Sequence, residues 1–87
     1  MLSVKPFSAG KLTGTIYDAS ETGDTLPMHV HGASDNHVTI VQLGAVYAHG
    51  NEWAAVIAAG TTMDWAANDP HELIAMEPDT RYINIVK

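Results

Sequence analysis

Five histidines fall within 87 residues, and four of them stand where their rings could share one ion. His29 and His31 are two apart, a spacing that in a strand puts both rings on one face about 6.5–7 Å apart. His37 follows after the short turn Gly32-Ala33-Ser34-Asp35-Asn36, and His71 comes much later, just after Pro70. Neutral imidazole is the commonest side-chain ligand for transition metals, and Mn, Fe, Ni, Zn and Cu all accept it. Nitrogens from His29, His31, His37 and His71 would hold one such divalent ion and leave coordination positions for water or a small ligand. The chain has no cysteine, which excludes disulfides, thiolate metal sites and cysteine nucleophiles. Its chemistry must come from oxygen and imidazole.

Other chemical groups make weaker cases. His49 lies in the turn His49-Gly50-Asn51 and reads as solvated. Ser34, Asp35 and His37 lack the strand-turn-helix elbow of a hydrolase triad, and no glycine-rich phosphate loop is present. Arg81 is the only arginine; it suits a carboxylate clamp or, more simply, a surface ion pair. Tyr47, Trp53, Trp65 and Tyr82 read as core or as contacts between copies, and Trp65 also suits a pocket wall near His71. No residue stands out as an independent general acid or base, so the catalytic residues, if any, are unassigned.

The elements that must position these groups are short. A chain of this length makes one small core, and residues 1–87 are treated as a single domain. Ten acidic against four basic residues give a formal charge of −6, which argues against nucleic acid or an anionic membrane as partner. A 46% hydrophobic content excludes a disordered chain. No apolar run approaches the roughly 18 residues of a membrane helix, and the first residues lack the apolar stretch of a secretory leader, so a cytoplasmic location is expected. Glycine and proline punctuate the chain at close intervals. Strands are expected over 11–18, 27–31, 37–48, 52–57, 61–65, 71–76 and 81–86. Their number and length indicate an all-β barrel or sandwich. In 71–76, His71, Leu73 and Ala75 share one face and Ile74 and Met76 lie on the other. In 81–86 apolar residues also occur on both faces, and a homodimer is the simplest cover for the outer one.

The spacing of these residues resembles the cupin superfamily, small β-barrels defined by two motifs. The first is G-x5-H-x-H-x3,4-E-x6-G. Gly23, His29, His31 and Gly44 match it, while the family's glutamate position falls on His37 when counted back from Gly44. Counted forward from His31 it falls on Asp35 or Asn36, and His37 is preferred because Asp35 lies in a run of turn formers. The second motif, G-x5-P-x-G-x2-H-x3-N, is matched identically only by Gly60 and His71, with Ala66, Asn68 and Ala75 at the other positions. The resemblance spans Gly23 to Ala75. It implies a cupin-type barrel (jelly roll, or double-stranded β-helix) with the ion inside it.

Replacing the family's glutamate with histidine removes a negative charge from the ligand set, so an anionic or chelating small molecule is the expected ligand. The pattern is also similar to all-histidine cupins, which include manganese- and copper-binding members and iron dioxygenases. Two readings follow from the resemblance. One is a minimal metal-binding module with a small-molecule ligand in the barrel, favoured because so short a chain has little left for a lid. The other is a metal-dependent dioxygenase or isomerase acting on a small oxygenated substrate.

Overall fold

A computed structural model describes residues 1–30, 37–65 and 69–86. Nine strands run through them: β1 (Leu2–Ala9), β2 (Leu12–Ala19), β3 (Thr25–His29), β4 (His37–Leu43), β5 (Ala45–His49), β6 (Ala54–Ala58), β7 (Thr62–Trp65), β8 (His71–Ala75) and β9 (Thr80–Val86). They pair antiparallel in two sheets, β1-β2-β9-β4-β7 and β3-β8-β5-β6. Among the described residues these ladders do not join edge to edge into one cylinder. No helix there is long and apolar enough to cross a membrane.

Two elements depart from the strands expected above. Residues 2–9 form β1, which has a glycine only just past its far end and alternates only weakly. It is an edge strand, where Pro6 can sit without depriving a neighbour of a donor. The single strand expected over 37–48 is two, β4 and β5, divided at Gly44. There φ is +75°, which turns the chain from one sheet into the other.

The core lies between the sheets. Val41, Val46, Ala48, Ile57, Leu73, Trp65 and Tyr82 are buried there, with Tyr17, Leu26, Trp53 and Met63 packed on them. Along β8 burial alternates as the sequence predicts, with His71, Leu73 and Ala75 inward and Glu72 and Ile74 half-buried on the other side. Tyr17 and Tyr82 face each other across β2 and β9 and stack with ring centroids 5.1 Å apart. Burial raises the Tyr82 phenol well above its usual range, so it stays neutral.

Gly44 is required twice over. Its φ disfavours a side chain, and a Cβ there would strike Thr80, whose Oγ1 donates to the Glu77 carbonyl at 2.8 Å. Gly10, in the β1–β2 turn, has φ +63° but open space around it. Gly10→Ala should therefore cost only the conformational term, about 1–2 kcal/mol. Gly44→Ala should cost at least about 1 kcal/mol more. Urea midpoints of the two variants measure this, and equal midpoints would refute the steric argument.

Candidate functional site

The site begins with an irregularity in β3. Leu26 pairs with Leu73 and His29 with His71, so three steps along β3 answer two along β8. Regular pleating would send Leu26 and His29 to opposite faces. The extra residue of the bulge, in the stretch Pro27-Met28, brings both inward. Proline has no N–H to give the ladder, which suits this position, and the Pro27 carbonyl accepts a bond from His29 Nδ1 at 2.7 Å.

His71 is held in the same way. Its Nδ1 lies 2.8 Å from the Asp69 carbonyl oxygen. A carbonyl can only accept, so Nδ1 of each ring carries a proton, and the neutral form of either ring has its lone pair on Nε2. A carbonyl bound to one ring nitrogen in this way fixes the tautomer and the direction of the other nitrogen, as is common for metal-binding imidazoles. The two rings meet edge to face with centroids 4.4 Å apart. His71 is 1% exposed. Burial pushes its pKa below the usual 6.5, against an opposing contribution from the Asp69 carbonyl, and charges on His29 and His37 push it down further. At neutral pH it is therefore the neutral imidazole that can ligate.

His37 opens β4, half-buried, in register with Trp65 of β7. It lies on the inward side with Thr39, and its charge is felt at His71. His31 lies outside the described residues, as do Asp35, Asn36, Ala66 and Asn68. Among the described residues no group of three or more His, Asp or Glu is arranged to hold a metal. Three of the four sequence-selected histidines are described, and the rings of His29 and His71 are in contact.

An aromatic and hydroxyl wall backs this pair. Trp65 stacks on His71 with centroids 4.0 Å apart and planes 4° from parallel. Its Nε1 donates to Thr39 Oγ1 at 2.7 Å, and the Thr39 hydroxyl in turn donates to Asn84 Oδ1. Trp53 packs beside Trp65, with ring centroids 5.6 Å apart. Trp65, expected as core, as a contact between copies or as a pocket wall, is a core residue in contact with His71. Thr39 and Asn84 carry no sequence signal, because their meeting depends on the register of β4 against β9. His49 departs from the solvated reading: it is half-buried and pairs with Glu72 Oε1 at 2.8 Å. Arg81 forms the surface ion pair, Nε to Asp18 Oδ1 at 2.6 Å.

No family model and no curated protein matches the sequence. Solved structures do. KdgF from Halomonas sp. is 17% identical with a TM-score of 0.84, covering 98% of this chain and 78% of its own. A cupin superfamily protein from Desulfitobacterium hafniense is 6% identical with a TM-score of 0.84, covering 99% and 76%. An RmlC-like cupin from Desulfovibrio desulfuricans is 15% identical with a TM-score of 0.82, covering 98% and 80%. At such identities the likeness is one of fold.

The lowered pKa of His71 has a consequence for the chelator-treated protein. Unfolded, this histidine takes up its proton near pH 6.5; folded, it does so only at lower pH. In that window the unfolded state binds more protons, so stability rises with pH and is lost as pH falls below 6.5. Denaturant midpoints between pH 8 and 5 should fall more steeply for the wild type than for His71→Gln. Parallel curves would show that His71 is not held neutral by its surroundings.

Proposed function

We propose that this chain, which has the cupin fold, holds one divalent transition metal (Mn, Fe, Ni, Zn or Cu) through His29, His31, His37 and His71. The observation that carries the reading is the His29–His71 pair, whose rings meet with centroids 4.4 Å apart and whose Nδ1 atoms bind backbone carbonyls, the tautomer that puts the metal-binding lone pair on Nε2. The donor set fits such a group: His71 is buried and neutral, and His37 lies within electrostatic range of it. Bound there, the ion supplies a Lewis acid for a small anionic or chelating ligand. The residues around it do the rest. Trp65 gives a flat apolar wall, and Trp53 thickens it. Arg81 is committed to Asp18 on the outer face, so the one arginine is not a carboxylate clamp for the interior. That leaves a binding module as the better reading, and steady oxygen uptake with a chelating substrate would convert it to the dioxygenase one.

Elemental analysis of untagged protein should find about one equivalent of a transition metal per chain. His29→Ala and His71→Ala should abolish it, whereas His49→Ala should keep it. If Asp35→Ala loses the metal and His37→Ala retains it, Asp35 is the third ligand in place of His37. Metal at a hundredfold excess over its Kd should stabilise the fold by about 2.7 kcal/mol, reversed by chelator. Metal-free protein with an unchanged melting temperature in excess metal would overturn the site.

We also propose that the chain pairs with a second copy through the outer face of the five-stranded sheet. Ile16, Ile83 and Ile40 form one cross-strand row there and Ile85 continues the next, all half-buried. The charged side chains on this face are Lys5, Asp18, Arg81 and Asp64, which sum to zero (two positive, two negative), so a contact there escapes much of the chain's net repulsion. Sedimentation equilibrium at micromolar concentration should give twice the chain mass, and Ile83→Glu should halve it with the circular dichroism unchanged. A wild type that sediments as a single chain refutes the pairing.

A further inference from the structure

We infer that Trp65, anchored through Thr39 and Asn84, is the positioning residue that fixes the plane of the His71 imidazole and so the direction of its Nε2 lone pair. The bond from Nδ1 to the Asp69 carbonyl pins His71 at one atom. The Trp65 face, 4.0 Å away and 4° from parallel, lies flat against the imidazole and so constrains its plane.

A wall serves only if it is itself held, and Trp65 is held by a directional chain. The indole N–H can only donate, and Asn84 Oδ1 can only accept. Thr39 therefore accepts from Trp65 and donates its hydroxyl proton to Asn84. Thr39 is 0% exposed, Asn84 6% and Trp65 7%, so water does not compete for these bonds. Each residue comes from a different strand, Thr39 from β4, Trp65 from β7 and Asn84 from β9. All three strands belong to the five-stranded sheet, whereas His71 belongs to the other. The orientation of a residue in one sheet is thus set by a relay in the opposite sheet. The metal-binding reading is needed only for the last step, that this orientation matters to an ion.

The test separates the two. In metal-free protein, the stack should move the His71 ring-proton resonances upfield. Thr39→Val keeps the shape, removes the hydroxyl and should cut that ring-current shift by about half or more. Thr39→Ser should restore it. In zinc(II) titrations followed by calorimetry, Thr39→Val should bind about 10- to 100-fold more weakly, with Thr39→Ser near wild type. Should Thr39→Val fail to fold, Trp65→Phe, which keeps a flat ring but loses the N–H, must change both readings in the same direction. A full ring-current shift in Thr39→Val, or in Trp65→Phe where that variant stands in, overturns the positioning role. A reduced shift with unchanged zinc affinity overturns its relevance to the metal. Wild-type protein that binds no zinc or other transition metal removes the function proposed above, while the resonances still decide the geometry.

Discussion

The site depends on one break in a ladder. Two inward side chains three residues apart cannot arise from a regular strand, because the pleat alternates faces at every step. The bulge at Pro27-Met28 absorbs the odd residue, so Leu26 stays in the core while His29 turns in opposite His71. Proline contributes by what it lacks: with no N–H to pair, its neighbourhood gives up ladder hydrogen bonding at least cost. Its carbonyl then holds the ring that the bulge has turned inward. Removing the bulge would leave a core strand or a ligand strand, but not both.

The two sheets contribute different things. The four-stranded sheet carries His29 and His71, the imidazoles in contact. The five-stranded sheet carries His37 together with the Thr39, Trp65 and Asn84 chain behind them. Charge is divided as well. His71 is buried, and burial holds its pKa below the usual value, so it is neutral at pH 7. Its chain neighbour Glu72 faces the other way and pairs with His49. Adjacent residues on one strand thus hold one histidine in a form able to ligate and tie another into a half-buried contact with a carboxylate.

Much of this was legible in the sequence, and the reason differs from element to element. The alternation along 71–75 is strict, so its faces could be assigned at once, and they match the burial. The punctuation by glycine and proline marked the all-β architecture, and the turn at Gly50 is where it was expected, with its N–H donating to the Trp53 carbonyl. Residues 2–9 were missed because their β character comes from pairing with β2 and not from their own composition. Gly44 was read as a motif residue inside a strand, since its positive φ cannot be seen until the neighbouring Thr80 is in place. His29 and His71 were expected together only as members of a four-histidine set, and the bulge that turns His29 toward His71 was not foreseen. Thr39 and Asn84 carry no signature of their own. Only the register between strands 45 residues apart makes them partners.

Two open sheets leave four flanks of unpaired backbone among the described residues, on β1, β7, β3 and β6. Three are defended against adding a foreign strand: β1 by Lys5 and Pro6, β3 by Pro27, and β7 by its four-residue length and Asp64. The flank on β6 has no such guard. Ala54-Ala55-Val56-Ile57-Ala58 has no charge and no proline, pairs with β5 alone, and leaves Val56 60% exposed. Any amyloid-like growth of this molecule would find its least protected template there, on a strand that carries none of the histidines.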